Sequence, residues 1–129
     1  MREKLRILIV DDEPIVGKRL KAALEKSGYE VEAFENPSMA LQRIDEKEFD
    51  VVVTDLRMEE IDGMQVLEYV QAKSKHTKVI IITEYATIEI AREAFAKGAF
   101  DFIAKPFKPN DLRKAIAKVS KEIPKNSPC

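Results

Sequence analysis

The sequence predicts an α/β domain in which one parallel sheet is covered by helices on both faces. Three observations lead there. Five short apolar runs alternate with five amphipathic stretches of helical period. Successive strands joined through helices pair in parallel, and their crossovers cover both faces of the sheet. Three of the runs are apolar throughout while two carry charge, as expected for the centre and the edges of a single open sheet.

Residues 5–10 form the first strand. A helical pattern follows, with Val16, Leu20, Ala23 and Leu24 at i, i+4, i+7 and i+8. It stops at Ser27-Gly28, where glycine suits the turn that ends a helix. Residues 29–34 are a partly alternating second strand, with Glu30 and Glu32 on one face. Asn36-Pro37 opens the second helix, since proline fits a first helical turn, and Ala40, Leu41 and Ile44 make its inward stripe. The third strand is residues 51–54, and the third helix spans 63–72 with Val66, Leu67 and Val70 inward. The fourth strand is 78–83. The fourth helix spans 87–97, its stripe made by Ala91, Ala94, Phe95 and Gly98. The fifth strand is 100–104, and the fifth helix runs from 109 to about 122 with Leu112, Ala115, Ile116 and Val119 inward. Residues 1–123 are thus expected to be one domain, and 124–129 a disordered tail or the start of a linker.

Strands one, three and four are solidly apolar and belong in the centre; strands two and five carry charge and belong at the edges. The order 2-1-3-4-5 satisfies both conditions. It is the flavodoxin-like doubly wound (βα)5 arrangement, in which ligands bind beyond the carboxyl ends of the strands.

Composition excludes several classes of function. The chain has 129 residues, enough for one core without metal or disulfide staples. Its 22 Lys and Arg against 23 Asp and Glu give a net charge of -1, which disfavours nonspecific nucleic-acid binding and a polybasic membrane surface. The longest apolar runs fall far below the roughly 18 residues of a membrane helix, and there is no signal-peptide apolar region. The single cysteine, Cys129, permits no intrachain disulfide and fits a reducing, cytoplasmic setting. With four glycines the chain contains neither G-x-G-x-x-G nor a P-loop.

The carboxyl ends of the strands carry the chemistry. Strand one ends in Asp11-Asp12-Glu13, strand three in Asp55, strand four in Thr83 and strand five in Lys105-Pro106. Carboxylates crowded at one rim repel by roughly 3 kcal/mol per pair at ~5 Å and an effective dielectric of ~20. A hard divalent cation with oxygen ligands relieves that repulsion, and Mg²⁺ is the expected ion. Lys105 neutralises part of the rest. An unaccompanied phosphate would be repelled, but a phosphoryl group could approach with the cation, and a carboxylate can itself accept it as an aspartyl phosphate. Asp55, alone after a buried strand, is the candidate nucleophile; Asp11 and Asp12 are the candidate metal holders.

These residues resemble the receiver domains of two-component response regulators. The matching pieces are Asp11-Asp12-Glu13-Pro14, Val53-Thr54-Asp55-Leu56-Arg57-Met58, Asp62-Gly63, Thr83-Glu84-Tyr85-Ala86 and Lys105-Pro106-Phe107, spread over roughly residues 4–122. Ala86-Thr87-Ile88-Glu89 and Lys97-Gly98-Ala99-Phe100-Asp101-Phe102 are most similar to receivers of the nitrogen-regulator (NtrC-like) class. The resemblance implies that Asp55 takes phosphate from a sensor histidine kinase or phosphotransfer protein. It implies Mg²⁺ held by Asp12, Asp55 and the backbone carbonyl of Arg57, with Asp11 acting through water. Thr83 would hydrogen-bond the phosphoryl group and Lys105 would pair with it, the Lys105–Pro106 bond being cis. Thr83 and Phe102 would form a switch that repacks the face of helix four, strand five and helix five, through which a homodimer or an output is controlled. Two positions depart from the family pattern. Glu59 replaces the usual proline after Met58 and makes that loop more acidic and looser, and Glu84 replaces the small residue usual after the switch threonine.

Two other readings compete. A Mg²⁺-dependent phosphatase with an aspartate nucleophile usually has a second acid two positions on, where this chain has Arg57. A pseudo-receiver acting only as a protein-interaction module would not need Asp11, Asp12, Asp55, Thr83 and Lys105 together. His76, in a polar loop, reads as a solvated residue. The sequence holds no output domain, so the chain is expected either to act alone or to be the receiver of a longer regulator.

Overall fold

A computed structural model describes residues 4–122. The elements follow in strict alternation: β1 (Arg6–Val10), α1 (Pro14–Lys26), β2 (Glu30–Phe34), α2 (Pro37–Glu46), β3 (Val51–Asp55), α3 (Gly63–Lys73), β4 (Lys78–Thr83), α4 (Ile88–Ala96), β5 (Asp101–Ala104) and α5 (Pro109–Glu122). All strand pairs are parallel, in the order β2-β1-β3-β4-β5. The predicted fold class, strand order and edge strands are those observed. The predicted tail, 124–129, lies outside the described residues.

The sheet divides the core in two. Leu8, Val10, Val52, Val79 and Ile81 pack with Ala40 of α2, Val66, Leu67 and Val70 of α3 and Ala94 of α4. Ile7, Ile9, Val51, Val53, Ile80 and Ile82 pack with Leu20 and Leu24 of α1 and Leu112, Ala115, Ile116 and Val119 of α5. Alternate residues of each central strand serve opposite faces, so burial on both sides demands the continuous apolar runs seen in the sequence.

The edge strand β2 is protected by charge. Arg43 donates to both Glu32 oxygens at 2.7 and 3.0 Å, and Lys47 bridges Glu30 and Glu32 at 2.9 and 3.0 Å. The hydrogen bond from Arg43 holds the Glu32 carboxyl down at about 2. Such charges discourage pairing with a foreign strand.

Local signals fall where expected at several helix ends. Asn36 caps α2 by accepting from Ser38 and Met39 N–H groups, and Gly28 takes φ +94° just past α1. Asp62 and Gln65 form a reciprocal capping box on α3 that the sequence reading does not identify. Thr87 is the cap of α4 rather than its first residue. The main correction is Phe95. The helical pattern puts it in the inward stripe of α4, but it is 50% exposed, and Ile88 is 69% exposed. In this helix of nine residues Ala94 and Ile90 face the core, so Phe95, one position on, is turned about 100° away.

Candidate functional site

The register of the sheet assembles the site. Val10 lies beside Thr54, Asp55 beside Ile82 and Thr83 beside Ala104, so the residues that end β1, β3, β4 and β5 share one rim. Backbone bonds extend that order past the strands. Asp11 N–H donates to Phe34 O at 3.0 Å, Leu56 N–H to Ile82 O at 3.0 Å and Lys105 N–H to Thr83 O at 2.7 Å. The Lys105–Pro106 bond is cis. The Asp55 carbonyl accepts from the Thr54 hydroxyl at 2.9 Å. Gly63 packs so closely that a Cβ there would stand 2.5 Å from the Asp55 carbonyl oxygen and 2.8 Å from Leu56 Cα.

Three carboxylates converge. Asp11, Asp12 and Asp55 each offer an oxygen within 4.8 Å of the others. Asp11 and Asp55 are buried, whereas Asp12 is exposed. Lys105 Nζ is 3.0 Å from Asp11, 3.4 Å from Asp55 and 3.5 Å from Glu13. Asp11 also accepts from Glu13 N–H at 2.9 Å. Burial, then the charge of Asp11, raises the Asp55 carboxyl to about 6 against the pull of Lys105. Burial also raises Asp11, opposed by its hydrogen bonds from Glu13 and Lys105. The Lys105 ammonium is desolvated, yet the hydrogen bond to Asp11 and the surrounding acids leave it above its ordinary range. The repulsion expected of three acids therefore falls mainly on Asp11 and Asp55, because Asp12 keeps its solvent.

One lysine does not balance this set. The donor set is hard oxygen at close spacing with negative charge left over, and it fits a divalent metal ion. A cavity of about 260 Å³ lined by Asp12, Glu35, Asn36, Pro37, Glu59 and Glu60 opens beside it and adds to the negative field. A larger one, about 370 Å³, lies at the opposite ends of the strands, between the α2–β3 and α3–β4 connections, and His76 lines it.

Thr83 is fully buried, and its Oγ1 accepts from Tyr85 N–H at 2.9 Å. Phe102 is half-buried on β5 against the α2–α4 side of the core, and its neighbour across the sheet is Ile81. The Arg57 side chain turns to solvent, its guanidinium carbon 4.4 Å from the centre of the Tyr85 ring. Glu84 is exposed. Beyond Asp55 the loop is turned tightly rather than loosened: Ile61 N–H bonds Glu59 O at 2.7 Å, and Glu60 adopts φ +70°. The sequence reading misses three contributors. Glu13 reaches Lys105, Gly63 admits the Asp55 carbonyl, and Tyr85 meets Arg57; each stands in a quoted motif, but only the folded chain shows what it touches.

Comparison with known proteins agrees with this geometry. Residues 7–117 match the family model described as the response regulator receiver domain. The regulatory protein AtoC of Escherichia coli is 41% identical over 107 residues, which is 83% of this chain and 23% of AtoC. The transcriptional regulatory protein ZraR of Klebsiella oxytoca is 35% identical over 89% of this chain and 26% of that protein. Both are regulators of the NtrC family, and this chain spans about a quarter of their length. Among solved structures, a response regulator receiver domain protein of Clostridium thermocellum matches with TM-score 0.86 and 32% identity over 92% of this chain and 95% of that one. The beryllofluoride-activated NtrC4 receiver domain dimer matches with TM-score 0.86 and 32% identity over 91% and 97%. No helix among the described residues is long and apolar enough to cross a membrane. With the sheet order, the rim of acids and the family match in agreement, the chain belongs to the response regulator receiver domains of two-component systems, among relatives of the NtrC class.

Proposed function

We propose that this domain is a phosphorylation-activated switch in which Asp55 accepts the phosphoryl group. A carboxylate oxygen of Asp55 attacks phosphorus; the new O–P bond forms as the donor's P–N bond breaks, and the donor imidazole leaves with the electron pair. The donor is a phosphohistidine on a sensor kinase or phosphotransfer protein in the cytoplasm. The observation that carries the reading is Asp55 itself: a buried carboxyl at the end of a central strand, raised to about 6, with Lys105 at 3.4 Å. Lys105 pairs with a phosphoryl oxygen, and the Thr83 hydroxyl donates to another. Asp12, Asp55 and the Arg57 carbonyl would hold Mg²⁺, and Asp11 would act on it through water. When bound, the ion offsets the charge that gathers between the carboxylates and the incoming phosphoryl oxygens. The domain so catalyses its own phosphorylation and dephosphorylation.

Thr83 and Phe102 transmit the change. They end and line neighbouring strands and, by alternation along them, face the side of the sheet on which α4 packs, where Ile88 and Phe95 stand exposed. The face of α4, β5 and α5 then meets an output or a second copy of the chain, in keeping with the activated dimer of the NtrC4 receiver. Incubation with acetyl phosphate and Mg²⁺ should add one labile phosphate by intact mass, and Asp55→Asn should abolish it. Unchanged labelling of that variant would refute the assignment. Beryllofluoride should shift NMR signals on the α4–β5–α5 face or raise the sedimenting mass.

A further inference from the structure

Arg57 and Tyr85 are each two residues beyond a site residue, on the loops that follow the neighbouring strands β3 and β4. Their side chains meet across the gap, guanidinium carbon to ring centre at 4.4 Å. Acids adjoin Arg57 in sequence at Glu59 and Glu60, and Tyr85 at Glu84, yet among the described residues Arg57 makes no ion pair. Its cation is spent on the ring. The backbone of Tyr85 also reaches the site, where its N–H donates to the Thr83 hydroxyl at 2.9 Å. A hydroxyl that accepts this bond has one lone pair engaged and its own proton directed away from the donor, free to be given to another acceptor.

We propose that Arg57 and Tyr85 are a positioning pair: the stacked guanidinium holds the loop after β4 so that Tyr85 N–H presets the Thr83 hydroxyl for phosphoryl transfer to Asp55. This rests on Asp55 being the phosphoacceptor. The two side chains touch no reacting atom and act through Thr83; the metal role proposed above belongs to the Arg57 backbone carbonyl. An exposed cation–π contact has a modest strength, equivalent to about a two- to fivefold change in rate.

The experiment measures acetyl phosphate labelling of the full chain with Mg²⁺, in wild-type and Thr83→Ala backgrounds. Arg57→Ala and Tyr85→Leu should each slow labelling about two- to fivefold, and the double variant should be no slower than either alone. Tyr85→Phe keeps the ring and should restore the wild-type rate. Arg57→Lys keeps the charge without the planar stack and should remain slow. In the Thr83→Ala background Arg57→Ala should have no further effect. The Tyr85 amide should exchange with deuterium faster in Arg57→Ala, a readout that needs no phosphate. A full rate effect persisting without Thr83 would mean that Arg57 acts by charge and would overturn the proposal, as would an unchanged Tyr85 amide. If wild type takes no label, the Asp55 reading fails and this inference falls with it; if wild type labels and Arg57→Ala keeps pace, only this inference falls.

Discussion

Lys105 Nζ donates to Asp11 at 3.0 Å and stands farther, at 3.4 Å, from Asp55. The lysine thus sits closer to Asp11 than to Asp55, the proposed phosphoacceptor. Asp55 receives part of its charge and keeps a carboxyl held well above the ordinary range. A phosphoryl oxygen arriving at Asp55 would find the ammonium already at the rim, needing a short move from one oxygen to another. The same arrangement leaves the resting site electrostatically strained, and that strain has measurable consequences for stability.

Replacing Asp55 by asparagine should stabilise the resting protein at neutral pH. A carboxyl with ordinary value 3.8 and folded value about 6 binds its proton more readily when folded. Stability therefore falls as pH rises from about 4 through about 6, and the loss is complete above that. The gap corresponds to about 3 kcal/mol, an upper figure for what Asp55→Asn recovers at pH ~7.5. At pH ~3.5 the carboxyl is largely neutral in both states and the gain should vanish. Melting curves at the two pH values check this, and a variant no more stable at the higher pH would contradict it. Mg²⁺ should stabilise wild type at neutral pH and less near pH ~5, where it competes with the proton, with little effect on Asp55→Asn.

Lys105→Met should do the opposite. The lysine is raised by Asp11, Asp55 and Glu13, so its contribution is fully present below its unfolded value of 10.5 and covers the whole neutral range. Removing it leaves Asp11 and Asp55 buried without a cation, a loss of about 3–5 kcal/mol for a broken buried pair. The loss should shrink near pH ~5, where Asp55 takes up a proton. Urea unfolding at neutral pH and at that lower pH gives the comparison, and a cost independent of pH would place the lysine's role in packing instead.

The fold is legible because both faces of the central strands are buried, which writes Ile7 to Val10, Val51 to Val53 and Val79 to Ile82 as unbroken apolar runs. The site is legible for a related reason: Asp11, Asp55 and Thr83 directly end or follow such strands and Lys105 follows the neighbouring edge strand β5, so topology alone brings them together. Phe95 is misplaced by its pattern because α4 is apolar on more than one side. Ala91, Ala94 and Phe95 satisfy a helical stripe in either of two rotations, and only packing against the sheet chooses Ala94. The stack of Arg57 on Tyr85 joins two loops whose residues show no periodicity, so nothing in the sequence marks them as partners. The unequal burial of Asp11 and Asp12 is equally hidden, since adjacent acids at a strand end look alike until one turns inward.

Gly63→Ala should damage the site through the backbone. The added Cβ would meet the Asp55 carbonyl oxygen at 2.5 Å and Leu56 Cα at 2.8 Å, both main-chain atoms that cannot swing aside. The Asp62 capping box fixes the start of α3 on the other side, so the strain must move Asp55 or the helix end. A cost of about 1–3 kcal/mol is expected from overpacking. Labelling by acetyl phosphate should slow as well, because Asp55, the proposed phosphoacceptor, is displaced. A variant that loses stability but labels at the wild-type rate would show that α3 yields while Asp55 stays in place.

Glu84 tests how far charge at the mouth governs access. From sequence, its position after Thr83 suggests repulsion of an anionic donor by roughly 2 kcal/mol at ~8 Å and an effective dielectric of ~20. Its exposed side chain calls for a dielectric nearer that of water. At ~80 and the same distance the repulsion falls to about 0.5 kcal/mol per unit charge, or about twofold in rate. Screening reduces even this once the Debye length, about 8 Å at ~0.15 M salt, matches the separation. Glu84→Ala should therefore speed labelling by acetyl phosphate about twofold in ~10 mM salt and leave it unchanged at ~0.15 M. Rate constants for the two proteins at both salt concentrations decide the matter. A gain of about tenfold at low salt would mean that Glu84 turns into the mouth when the donor arrives; equal rates would mean that its charge is spent entirely on solvent.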